Sequence, residues 1–471
     1  KILHEAGIKT HMLDRGLNAL RMYPVPDDVR ALMYRVKHAQ GVDITRLFDG
    51  LNDIRNIAPA LKWAKEAGMT PQGTLCITTS PVHTIEYYCK LADEEIAAGA
   101  EELCLKDMAG IGQPAFLGEL TRRIKEKHPD VILEYHGHSG PGLSMASMLE
   151  VAKNGIDILD VAIEPLSWGK VHPDVISVQS MLKNAGFDVP EINMDAYMKA
   201  RAMTQEFIDE WLGYFINPQN KIMSSLLLSC GLPGGMMGSM MADLGGIRST
   251  INNLRKKKGD AELSVDDMLV KLFDEVAYVW PQVGYPPLVT PFSQYVKNIA
   301  LMNLLTLEQG KGRYVMMDDS MWGMILGKSG RVPGEICQEL KDLAKQKGLE
   351  FTDADPHTLL TDALGEFRKE MDENGWDYGQ DDEELFELAM HPEQYRNYKS
   401  GQAKKNFLAD LQAAKDAKLG AMVSPEEAAA FKHAKADAIV SPVKGQLFWE
   451  FQGDGEAAPA VEPFIGKEYK E

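Results

Sequence analysis

Between residues 8 and 186 the chain alternates a short apolar run with an amphipathic segment, six times over, and this rhythm limits its folds more than any other feature. The strand candidates are residues 8–14, 44–49, 73–78, 103–107, 131–138 and 158–163; the amphipathic segments are 27–40, 53–67, 82–98, 113–127, 141–154 and 172–185. Several of those segments close on a small-residue stop, EAG at 66–68, AAGA at 97–100, KNG at 153–155 and NAG at 184–186, the pattern that ends a helix. Strand, helix, strand at this spacing means βαβ units and a parallel sheet.

Two α/β architectures accept such a string, a doubly wound open sheet and a (β/α)8 TIM barrel. No strand candidate is followed by GxGxxG or GxxxxGK[ST] spacing, so the phosphate-binding loop of a nucleotide fold is not in evidence. The strand ends carry polar residues instead: Asp14 and Arg15, Asp49, Thr78, Lys106 and Asp107, His136 and His138. Reactive groups at the C-terminal ends of successive strands are what a barrel presents, and the barrel is the expected fold. Six units are visible where eight are needed. The chain opens on KILHEAGIKTHMLDRG without an initiator Met, so the expectation is a fragment whose first two strands precede Lys1 or come from another chain.

The chemistry with the most specific spacing lies between Leu103 and His138. Lys106 ends one apolar run, and His136 and His138 end the next. Side chains alternate along a strand, so a His-x-His pair puts both imidazoles on one side, and two neutral imidazoles at a strand end are a common way to hold a metal. The plainer alternatives are solvated histidines at a strand end and a surface Lys106–Asp107 ion pair.

A formal net charge of -19 over 471 residues argues against a nucleic-acid surface. Five cysteines, Cys76, Cys89, Cys104, Cys230 and Cys337, form no CxxC pair and read as reduced residues of a cytoplasmic protein. No apolar run approaches the roughly 18 residues of a membrane span.

After Asn193 the composition turns to Met, Trp and helix formers, and the Met-rich helical stretch is expected to fill core. Thr290 sits on a short extended piece that Pro291 restricts away from helical geometry; it suits either a helix N-cap or a reactive position. The expected domains are a barrel core over 1–190, a helical domain over 191–400, a linker over 401–436 and a strand-like start of another domain over 437–471.

The segments MLDRGLNALRMYP, ITRLFDGLND, LCLKDMAG, EYHGHSG, ILDVAI, LPGGM and VTPFSQYV stand in this order. Together they resemble the carboxyltransferase subunit or domain of the biotin-dependent pyruvate carboxylase, oxaloacetate decarboxylase and transcarboxylase family. The resemblance covers roughly residues 8 to 400 and implies an incomplete barrel followed by a helical funnel domain. It also implies a divalent metal, usually zinc, on His136, His138 and a carbamylated Lys106. An aspartate from an RD-x-x-QS motif, not found in this sequence, completes that family's site. Arg15 maps to the arginine that binds the 2-oxo acid. Thr290 maps to the threonine proposed to shuttle a proton between biotin and pyruvate, with a metal-stabilised enolate between substrate and product.

The resemblance implies as partners pyruvate or oxaloacetate, a biotin carboxyl carrier protein or domain, a biotin carboxylase or membrane decarboxylase subunits, and other copies of the chain. Three departures are expected beside the pocket and leave the choice of oxo acid open: Asp14 before the arginine, Ser139-Gly140-Pro141 after the second histidine, and Phe292 in place of a small residue. The closing IVSPVKGQL looks like the opening strand of a biotinyl domain. A metal-dependent aldolase barrel of the isopropylmalate-synthase or hydroxymethylglutaryl-lyase kind shares the His-x-His but lacks the KDMAG lysine context, PGGM and VTP blocks. A non-catalytic assembly subunit is the remaining alternative.

Overall fold

The computed structural model describes residues 2–210, 212–216, 218–232 and 236–422, with the short pairs 436–437 and 450–451. Six strands, β1 (His11–Asp14), β2 (Ile44–Phe48), β3 (Thr70–Cys76), β4 (Glu102–Asp107), β5 (Ile132–Gly137) and β6 (Ile158–Leu159), form one sheet. Every neighbouring pair is parallel, and the strands lie in sequence order from β1 to β6. That order separates the two architectures, because a doubly wound sheet reverses its strand order part-way whereas a barrel adds each strand beside the last. The chain is therefore α/β, with six units of a barrel. Among the described residues β1 and β6 do not pair with each other.

Two-residue alternation sorts each strand into two environments. Leu47, Leu75, Leu103, Leu105, Leu133 and Tyr135 are fully buried and share one apolar cluster with Leu32, Leu61, Leu91, Leu117, Leu120 and Met148 of the flanking helices. The opposite face is polar and buried all the same: Arg46, Gln72, Thr74, Glu102, Lys106 and Glu134. Arg46, Gln72, Glu102 and Glu134 satisfy one another, whereas the Thr74 hydroxyl has no hydrogen-bond partner. Arg46 Nε donates to Gln72 Oε1 at 2.7 Å, and Gln72 Nε2 donates to Glu102 at 3.0 Å and to Glu134 at 2.7 Å. Such a network offsets the cost of burying polar groups.

The helices start and stop where local chemistry requires it. Asp53 caps Ile54–Ala67 by accepting from Arg55 N, and Gly68 ends that helix with φ +93°, a backbone state that glycine adopts without strain. Thr84 caps Ile85–Ala97. β6 is shorter than the expected 158–163, because after Leu159 the backbone leaves β5 and Ala162 instead bridges Asp174.

Residues 1–206 and 216–396 form one compact unit. Its second apolar cluster joins helices Met237–Lys258, Val265–Gln282 and Phe292–Glu308 through Met240, Val276, Val279, Val296 and Ile299. Ser264 and Asp267 make a reciprocal capping box at the start of Val265–Gln282.

The expectation that the Met-rich stretch fills core is corrected for its first part. Met194, Met198 and Met203 are exposed, and the sole buried residue of helix Met194–Glu210 is Tyr197, whose hydroxyl donates to Asp174. A helix fixed through one buried side chain leaves its other faces in water. Further along the chain, Met236 and Met240 are buried.

Residues 207–215 and 397–471 form the second unit, in which Phe215 stacks on Phe407 of helix Gln402–Met422. The PGG of LPGGM and the IVSPVKGQL segment lie outside the described residues.

Candidate metal centre

Lys106 closes β4 directly opposite His136 of β5. It is 2% exposed, with Nζ 4.4 Å above the Phe48 ring and 3.4 Å from Met108 Sδ. Loss of hydration in this apolar surround pulls the ammonium pKa below its usual value, which favours the neutral amine. The ion-pair alternative fails on geometry. Asp107 points to the other face of β4, accepts from the amides of Ile111 and Gly112 and from Tyr135 Oη, and is pushed up to about 6 by burial.

His136 and His138 come together as the spacing requires, with Nε2 atoms 3.0 Å apart. His136 Nδ1 lies 2.5 Å from Asp160 Oδ2, just beyond β6. The same Nδ1 lies 2.8 Å from Arg46 Nη1, so it is engaged by the Arg46–Asp160 pair, and Nε2 is the ring nitrogen that faces His138. Arg46 holds Asp160 at 2.7 Å and Glu134 at 2.6 Å, so the carboxylate that orients the imidazole is itself clamped.

Sequence reasoning placed His172 in the helical segment 172–185. The structure puts it in the loop before helix Val175–Asn184, with its ring centroid 4.4 Å from that of His136 and 4.9 Å from that of His138. Its Nδ1 donates to the Gly137 carbonyl at 2.9 Å. One ligand atom from each of the three imidazoles lies within 4.8 Å of the others. Asp160 was not singled out, because it lay inside the expected strand 158–163, and only the end of β6 at Leu159 makes it a strand-end residue. His172 had no signal either, because only the return of the β6 loop across the sheet brings it here.

Burial keeps all three rings neutral: His136 is pushed down to about 3, His138 well below its usual value, and His172 down as well. Neutral imidazole is the ligand form. In the metal-free protein the ring protons of His136 and His138 should therefore show no titration by NMR between pH 7.5 and 5. An inflection near 6.5 in either of them would contradict the burial argument.

The KDMAG glycine has a structural reason. Gly110 adopts φ +69°, and a Cβ there would collide with the His138 carbonyl oxygen. Gly110→Ala should thus strain the backbone by about 1–3 kcal/mol and displace His138. The check is a urea melt together with zinc titration, both of which should weaken.

Arg15 follows β1 and is half-buried, with no hydrogen-bond partner at Nε; its charge acts on Lys106. Asp14 does not flank this mouth as expected. Alternation turns its carboxylate to the helix side, where it accepts from Tyr34 Oη at 2.6 Å and from the Gly16 amide.

Thr290 reaches the barrel through its neighbours. Val289 packs with Phe48 and Cys76, and Phe292 lies so close over Gly50 that a Cβ there would be 2.5 Å from its ring. Helix Phe292–Glu308 is capped at Pro291 without any side-chain hydrogen bond, so the Thr290 hydroxyl is not the cap. Lys106 and Val289 thus share Phe48 as a contact surface. Phe292 itself is buried in the helical cluster.

The donor set fits a borderline divalent cation. Three neutral imidazoles and one lysine that can become anionic are what zinc-class ions take.

Residues 251–440 match the family described as a conserved carboxylase domain. The chain is 32% identical over 388 residues to a pyruvate carboxylase subunit of Methanocaldococcus jannaschii, an alignment that covers 81% of this chain and 63% of that protein. Residues 251–440 belong to that carboxylase-domain family. The chain is also 30% identical over 340 residues to the methylmalonyl-CoA carboxyltransferase 5S subunit of Propionibacterium freudenreichii subsp. shermanii, covering 72% of this chain and 62% of that relative. The carboxyl transferase domain of Rhizobium etli pyruvate carboxylase, solved with pyruvate and biocytin, shares the fold at TM-score 0.69 and 23% identity, over 84% of this chain and 65% of that one. The chain thus spans a little under two thirds of the length of these relatives.

Proposed function

We propose that this chain moves CO2 between carboxybiotin and the pyruvate/oxaloacetate pair, with Lys106, His136 and His138 as metal ligands, Arg15 as oxo-acid anchor and Thr290 as proton relay. The observation that carries the reading is the meeting of Lys106 with the histidine cluster at the C-terminal ends of neighbouring strands, in a chain with these relatives. A bound divalent metal, most simply zinc, would supply Lewis-acid polarisation of the keto group, which makes the methyl protons of pyruvate acidic.

The side chains do the rest. Lysine as an ammonium has no lone pair to offer, but the neutral amine adds CO2 and loses a proton to give a carbamate, an anionic oxygen donor. Burial of Lys106 favours that neutral amine. The Arg15 guanidinium presents a planar fork to the oxo-acid carboxylate, a geometry lysine cannot copy. The Thr290 hydroxyl both donates and accepts, so it can take the methyl proton of pyruvate while passing its own proton to the ureido nitrogen of biotin as the N–C bond breaks, and the released CO2 then forms a C–C bond with the deprotonated methyl carbon to give oxaloacetate. The reverse sequence decarboxylates oxaloacetate.

The partners on this reading are a biotin carrier protein or domain and either a biotin carboxylase or membrane decarboxylase subunits, in an assembly with other copies of the chain. Cys76, Cys89, Cys104 and Cys337 are free thiols, which supports a reducing compartment such as the cytoplasm.

The test is decarboxylation of oxaloacetate by the full chain supplied with zinc, bicarbonate and free biotin. Biotin-dependent loss of oxaloacetate is expected. A protein that binds metal yet shows the same rate with and without biotin would refute carboxyl transfer.

A further inference from the structure

We propose that His172 is a third imidazole ligand, so that this chain holds a zinc-class divalent cation on His136, His138 and His172 whether or not Lys106 is carbamylated; the inference rests on the reading that the His136–His138 pair binds metal. Nothing in the sequence pattern assigns His172 a role, and it comes from a different loop than the His-x-His pair.

One ligand atom from each of the three rings lies within 4.8 Å of the others. The Nδ1 atoms of both His136 and His172 are engaged away from the cluster, that of His136 by the Asp160 carboxylate at 2.5 Å with Arg46 Nη1 at 2.8 Å beside it, and that of His172 by the Gly137 carbonyl at 2.9 Å. Both rings therefore present Nε2 to the cluster. Backbone carbonyls and carboxylates are the usual outer partners of metal-binding histidines, because they fix tautomer and ring plane. Two ligands at about 2.0–2.1 Å in a tetrahedral site stand about 3.3 Å apart, and the Nε2 atoms of His136 and His138 are 3.0 Å apart without a metal between them.

The loop that carries His172 is also built to hold it. The Trp168 amide donates to the His172 carbonyl at 2.8 Å, the Ser139 amide to the Val171 carbonyl at 2.7 Å and the Ala162 amide to the Pro173 carbonyl at 3.0 Å. Two residues on, Asp174 caps helix Val175–Asn184 and accepts from the Glu164 amide and from Tyr197 Oη. His172 is thus pinned on both sides, one bond tying its loop directly to the residue after His138. Three protein imidazoles with one open position is the donor set of a catalytic rather than a closed structural site, and Lys106 stands opposite His136 in the strand register.

The experiment is cobalt(II) titration of the metal-free full chain in CO2-depleted buffer, followed by visible absorption. It is paired with X-ray absorption of the zinc-loaded wild type to count imidazole ligands. The wild type should take up one ion per chain with three imidazoles. Lys106→Met should keep the affinity within about tenfold. His172→Ala should weaken it by more than the roughly 10–100-fold expected for loss of an outer partner alone.

Wild-type affinity and spectrum in His172→Ala, or two imidazoles in the wild type, would overturn the role of His172 while leaving the His136–His138 reading in place. No uptake by the wild type, or unchanged uptake by the His136→Ala/His138→Ala double variant, would overturn that reading itself. Loss of uptake in Lys106→Met would overturn independence from the carbamate. The ligand count on the wild type decides the matter even where a variant does not fold.

Discussion

Thr290→Ala should lower the rate of biotin-dependent carboxyl transfer by about 10^2–10^4, the usual contribution of a positioned proton donor and acceptor, with binding of the oxo acid unchanged. The effect should be catalytic because of where the residue sits. The helix after it is capped at Pro291 without any side-chain bond, so removing the hydroxyl costs the fold no cap. Val289 and Phe292 hold the segment against Phe48 and Gly50 through apolar contacts that the substitution leaves alone. Steady-state kinetics should show a fall in kcat with little change in KM for the oxo acid. Thr290→Ser keeps the hydroxyl and should retain most of the rate. A Thr290→Ala enzyme that loses oxo-acid affinity instead would assign the residue to binding.

The second large effect is expected at Lys106. Lys106→Met preserves the apolar packing on Phe48 and removes the only nitrogen on that stem that could carry a carbamate. The lost anionic donor should cost several kcal/mol of transition-state stabilisation, on the order of a 10^3-fold fall in rate, while zinc stays on the imidazoles. Bicarbonate should stimulate the metal-loaded wild type and leave the variant unaffected. Equal stimulation of both would mean that CO2 acts elsewhere.

The barrel was legible because its strands read in two registers at once. Leucines at alternate positions of β2 to β5 face the helices, and the residues between them are polar or reactive, which is why Lys106, His136 and His138 stood out. Edge strands were harder to bound. β6 is two residues long, since nothing in ILDVAI says that the chain turns to pair Ala162 with Asp174.

Local sequence also could not place Asp14. A polar residue beside Arg15 looks like a pocket residue until alternation sends it to Tyr34 on the far side of the sheet. His172 shows the same limit from the other direction. It has no motif, and its place beside His136 follows from a loop held by backbone hydrogen bonds. The Met-rich helix misled because composition reports what could be buried, whereas burial needs a partner surface, and Tyr197 is the one residue of that helix that is buried.

The central claim is that Lys106 and the His136–His138 pair share one cation at the mouth of the barrel. Anomalous diffraction at the zinc edge, from crystals of the full chain grown with zinc and bicarbonate, tests it most directly. The expected result is a peak about 2.0–2.1 Å from the Nε2 atoms of both histidines, with continuous density from Lys106 Nζ through a carbamate to the metal. A metal bound elsewhere, or an unmodified Lys106 still resting on Phe48 in a zinc-loaded, active protein, would contradict it.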